Sequence, residues 1–178
     1  MMLSDKTSEA LDILLGKCFD LNRSVDAMVT RLQNTFSMPQ AAEIIHHNHA
    51  HLWPLIADLI STFKDQYNVP TYYPETHADG RSYQNLSDMM ETYLSEVSDL
   101  YEMVKMTYRV AKENDDLNAC AFLMSFTRIL TIVMGQVITL RDKAVQMPTD
   151  YDSYDRHISS WGIDGVDLTN PHAVADDD

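Results

Sequence analysis

Apolar residues recur three and four positions apart over four long stretches, and that spacing predicts four amphipathic helices. The first runs from about residue 4 to 36, with Leu11, Leu14, Cys18, Leu21, Val25, Met28 and Leu32 on one stripe and Ser4 as its N-cap. The second runs from about 38 to 67, on Ile45, Leu52, Ile56, Leu59, Ile60 and Phe63. Ser37 as N-cap with Pro39 in the first turn marks its start, and Pro54 removes a backbone donor and predicts a kink. The third, from about 85 to 114, carries Leu86, Met90, Tyr93, Val97, Tyr101 and Val104 on one face. The fourth, from about 117 to 147, is apolar almost all round. Such a helix is buried on several sides, and in a lone bundle its surplus apolar surface predicts a subunit contact.

The connections order these helices. Asn114-Asp115-Asp116 is a tight turn. Between the second and third helices lies a break over about 68–83, where Pro70, Pro74 and Gly80 forbid a continuous helix. Extended, that segment reaches roughly 50 Å against about 45 Å for a 30-residue helix, so it can cross the length of a bundle. One long crossover between helices 2 and 3 makes those helices parallel, the ferritin-like arrangement of an all-α four-helix bundle. Residues 1–147 form the bundle in this reading. Residues 148–178 form an acidic extended tail, with eight Asp against the single Arg156. The segment from Trp161 to Leu168 is expected to dock on the body and the last residues to be disordered.

With 178 residues, 45% of them hydrophobic, the chain is long enough for one domain with a sizeable core, and its 5 Gly and 6 Pro leave few turns. A formal charge of −14 repels phosphate and attracts cations. No nucleic acid and no anionic membrane are therefore expected as partners. The N-terminus lacks a basic region followed by an apolar run, and the most apolar stretch, Ile129 to Leu140, is too short for a bilayer, so a cytoplasmic location is expected. Cys18 and Cys120 sit in apolar helical stretches and read as buried free thiols.

The candidate chemistry is a run of histidines, Glu43-Ile-Ile-His46-His47-Asn48-His49-Ala50-His51. On a helix His47 and His51 share a face and can chelate one ion. Asp58 falls on nearly the same bearing, and Glu43-x-x-His46 has the spacing that carboxylate sites in bundles use. Folding the first two helices about residue 37 brings Asn22 and Asp26 level with these histidines. A polar layer of Asn22, Asp26, Asn48 and His51 inside the bundle is then expected. Imidazole with carboxylate suits iron, zinc or manganese.

The second half resembles ferritin. Met90-Glu-Thr-Tyr-Leu-Ser-Glu-Val through Lys112-Glu-Asn-Asp-Asp-Leu, then Cys120-Ala-Phe-Leu, is similar to the third helix of ferritins, its turn and the start of the fourth. The resemblance implies an iron-binding role for Glu96, a ferroxidase-type activity or iron storage, and assembly into dimers or a larger shell. The fourth helix departs from that pattern. It offers Arg128, Thr131 and Gln136 where inward Glu or His would stand, and Arg128 is expected to pair with Glu96. Two readings follow: a metal protein using His46, His47, His51, Asp26, Glu43, Asp58 and Glu96, or a metal-free ferritin-like scaffold or binding protein without catalysis.

Overall fold

A computed structural model of the chain describes residues 3–77 and 81–168. Among these residues the architecture is an all-α bundle of long packed helices. Helix α1 is Asp5–Asn34, α2 Pro39–Ile45, α3 Leu52–Asp65, α4 Leu86–Glu113, α5 Leu117–Gln146 and α6 Tyr151–His157. One π turn, His46–Ala50, joins α2 to α3, so the second expected helix is present but interrupted.

Cross-helix bonds set the directions. Asn22 donates to the Ala50 carbonyl (2.8 Å) and Lys64 pairs with Asp12, so α1 runs antiparallel to α2 and α3. Ser24 donates to Glu96 (2.6 Å) and Ser4 to Asp116 (2.6 Å), so α1 is also antiparallel to α4. Arg141 reaches Glu91 (3.3 Å) and Ser98 lies against Met134, which makes α4 and α5 antiparallel. Leu14, Val25, Ile56, Tyr93, Val97, Leu130 and Val133 fill the core between them, fully buried. Burial of each large apolar side chain contributes about 1.5–3 kcal/mol.

The connection from α3 to α4 lies along α1. Pro74 packs where Gly16 leaves room, and a Cβ on Gly16 would run into the Pro74 ring. Further on, Tyr73 meets Phe19, the His77 amide donates to Asp20 (3.2 Å), and Arg81 reaches Ser24 and Glu96.

Pro54 acts one turn earlier than a simple kink. Its missing N–H leaves the Ala50 carbonyl without a helical partner. The chain widens there into a π turn, and the Asn22 amide fills the gap. The start of α2 also differs from expectation. Ser37 does not cap it, since Ser37 holds φ 54° and the N-cap is Met38 with no side-chain bond. The Asp155 carboxylate, from the far end of the chain, accepts from the Ala41 amide instead (2.7 Å).

Residues 148–168 are not simply extended. They form α6 and a 3-10 turn, Ile158–Ser160, and Tyr154, Ile158 and Ile163 are buried. Tyr154 donates to the Leu140 carbonyl (3.0 Å), and its ring meets Trp161 edge-on. The expected disorder of the last residues concerns Asp176, Asp177 and Asp178, which lie outside the described residues.

Candidate functional site

The π turn sorts the four histidines onto two sides. His49 points inward and is fully buried, whereas His47 and His51 are exposed and His46 half-buried. The expectation that His51 lines an interior polar layer is thus corrected. His49 takes that place.

His49 joins a chain of hydrogen bonds whose direction can be assigned. Its Nε2 lies 2.8 Å from Oε1 of Gln136, which only accepts, so Nε2 carries the proton. Its Nδ1, 2.7 Å from the Tyr93 hydroxyl, therefore accepts from Tyr93. The Tyr93 oxygen in turn faces the Trp53 indole N–H (3.3 Å), and the Gln136 amide donates to the Asp164 carbonyl (3.0 Å). Every link points the same way, from α3 through α4, the π turn and α5 to the tail. Burial pushes the His49 pKa down to about 4 against a smaller upward pull from the Gln136 bond, so the ring is neutral, as this pattern requires. Burial also raises the Tyr93 pKa, which keeps its hydroxyl a donor. Asn48 completes the join by donating to the Ile163 carbonyl (2.7 Å).

On the outer side, the rings of His46, His47 and His51 are mutual neighbours, with centroids 5.7 Å (His46–His47), 4.3 Å (His46–His51) and 5.6 Å (His47–His51) apart. Glu43 is exposed on α2, Asp58 exposed on α3, and Asp26 half-buried on α1, one turn from Asn22. As the side chains stand, no group of three or more His, Cys, Asp or Glu among the described residues is placed to hold a metal ion.

Glu96 belongs elsewhere. It accepts from Ser24 and pairs with Arg81, at an open cleft of about 470 Å³ lined also by Lys17, Glu91, Ser95 and Asp99. Its bonding partners are Ser24 and Arg81, and its charge also acts on the Tyr93 hydroxyl. The cation paired with Glu96 is Arg81, where Arg128 was expected. The Ser98–Met134 pairing puts Arg128, six residues along α5, roughly 9 Å further along the bundle. The layer expected from Asn22, Asp26, Asn48 and His51 resolves into separate bonds, to the Ala50 carbonyl from Asn22 and to the tail from Asn48.

Sequence reasoning missed the buried ion pair of Lys64 with Asp12, where the Lys side chain is fully buried. Lys64 sits beside Phe63 on the edge of an apolar stripe, and that placement was the available signal. Cys18 and Cys120 are free and buried, and burial is the main cause raising both thiol pKa values.

Among the described residues α5 carries a row of exposed apolar side chains. Leu117, Met124, Ile138 and Val145 are exposed, at 74%, 56%, 39% and 53%, and with exposed Thr131 they repeat every seven residues. By length and composition α5 is also able to cross a membrane, although a third of its apolar window is buried against the bundle. The stretch Ile129–Leu140 alone understated it. Beside this face Val104, Tyr108, Leu123 and Met124 line a groove of about 450 Å³ rimmed by Lys105, Arg109 and Lys112. No protein-family model matches this chain, and no curated protein matches it.

Proposed function

We propose that this protein is a non-catalytic helical bundle of the ferritin-like kind, without a metal in its interior, that works as a self-associating scaffold through α5. The observation that carries the reading is the exposed seven-residue repeat of Leu117, Met124, Thr131, Ile138 and Val145. A seven-residue repeat keeps these side chains on one face and supplies one of the two positions of a helix-pairing seam. An antiparallel copy centred on Thr131 sets Leu117 against Val145 and Met124 against Ile138, so the face is complementary to itself, as a two-fold contact requires. Gly135, where a Cβ would meet nothing within 4 Å, lets two backbones approach. Charge agrees with this direction. Arg109 and Lys112, which rim the groove beside one end of the face, form no ion pair among the described residues, while exposed Asp142, held by Arg141, lies toward the other end. Antiparallel pairing joins the two ends twice.

The interior supports the same reading. The groups that an interior metal would draw on have other partners: Glu96 has Ser24 and Arg81, and His49 has Tyr93 and Gln136. A ferroxidase centre would have to break those bonds first.

Sedimentation equilibrium of the full chain tests the proposal. The expected result is a dimer at micromolar concentration that Met124→Glu with Ile138→Glu converts to monomer, with the helical circular dichroism unchanged. A wild-type chain that stays monomeric at about 100 μM overturns it. So does α5-dependent binding to neutral lipid vesicles in place of self-association, which assigns the face to a membrane.

A further inference from the structure

We infer that His46, His47 and His51 form a surface site for a borderline divalent transition metal, zinc(II) being the type ion, held by three imidazoles outside the bundle. This stands apart from the α5 reading and uses none of its residues.

The π turn is what builds the site. In an uninterrupted α-helix, residues five apart lie roughly 140° from one another around the axis, so His46 and His51 would face different ways. The i→i+5 turn adds a residue to the circuit, and the His51 amide bonds to the His46 carbonyl (3.2 Å). Positions 46 and 51 then come nearly into line, with 47 beside them. The rings of His46 and His51 accordingly have centroids only 4.3 Å apart.

The ring spacings match a shared ion. With a metal–nitrogen bond of about 2.0–2.1 Å, each ring centroid sits roughly 3.2 Å from the metal. Two such rings are about 4.5 Å apart at a right angle and about 5.2 Å apart at the tetrahedral angle. The observed 4.3, 5.6 and 5.7 Å bracket those values. The nitrogens do not converge in the present rotamers. His47 and His51 are exposed, so rotation about their side-chain bonds is open to them without moving the backbone. Three imidazoles select a borderline ion over calcium or magnesium, which prefer oxygen. Three protein ligands leave a fourth position, for water or for Glu43, one helical turn before His46 and His47. The negative charge of the whole chain favours the cation's approach.

The test uses full-length protein without an affinity tag, titrated with cobalt(II) and followed by its visible d–d absorption, then with zinc(II) in competition. The expected result is one equivalent bound and displaced by zinc(II). His46→Ala, His47→Ala and His51→Ala should each weaken binding at least tenfold, while His157→Ala and His77→Ala leave it unchanged. The widened turn gives a second readout: Pro54→Ala, which removes a cause of the π turn and keeps all three histidines, should weaken binding. Binding that survives the triple alanine variant overturns the inference, as does the absence of saturable cobalt(II) binding below about 1 mM.

Discussion

His49 is the residue on which the interior polar chain turns, because it must accept on one nitrogen and donate on the other. Its folded pKa of about 4 lies below the ordinary 6.5. The unfolded chain therefore binds a proton first as pH falls. The stabilisation is whole above the unfolded value, declines through the window between the two, and falls no further below about 4. Between about pH 7 and pH 5 this residue alone should remove about 2 kcal/mol of stability. Urea denaturation at both pH values checks it. His49→Asn should be less stable at neutral pH and lack most of that slope, and an unchanged slope would mean that the ring titrates freely in the fold. The sequence made four histidines within six residues conspicuous, but which one turns inward depends on the local winding of the backbone, and a period of 3.6 residues gives the wrong answer across a π turn.

Among the elements, the helix that Pro54 interrupts shows how a local rule and a distant residue share one task. Proline predicts the distortion, and the spacing of apolar residues predicts the helix on either side. Neither predicts where the orphaned carbonyl finds its donor. Asn22 sits on the apolar stripe of α1, an unfavourable place for an amide unless something buried needs one, and the Ala50 carbonyl does. Asn22→Leu, which keeps the size of the side chain, should cost about 1–3 kcal/mol by leaving that carbonyl unpaired. Amide hydrogen exchange should report the loss locally, as faster exchange of the residues from His49 to Trp53. Protection that is the same in the variant and the wild type would show that water replaces the amide at no cost. Four of the long segments were legible to within about two residues, because their stripes are long and their ends carry turn chemistry. The cap of α2 was misread, since its amide is capped by Asp155 and no local pattern contains a contact across that much chain.

For the whole molecule, the sequence disclosed the bundle better than its working parts. Apolar surplus on α5 was visible as composition, and only the packing against α4 separated buried Leu123, Leu130 and Val137 from exposed Met124 and Ile138. Glu96 followed from a resemblance, and its Arg81 partner comes from the long connection, where spacing carries no register. The acidic segment after Pro148 read as a tail because it lacks a long apolar period, yet Tyr154, Ile158 and Ile163 are buried. Ending the chain at residue 147 should lower the urea midpoint markedly, a loss of several kcal/mol for three buried side chains, with most of the helical signal retained. An unchanged midpoint would make residues 148–178 an ornament. The Ala41 amide and the carboxylate that caps it are 114 residues apart. At about 5–20 residues per second, a ribosome delivers that carboxylate roughly 6–23 s after the helix it caps. Until then α2 lacks that bond, and a residue made 114 positions later fastens it.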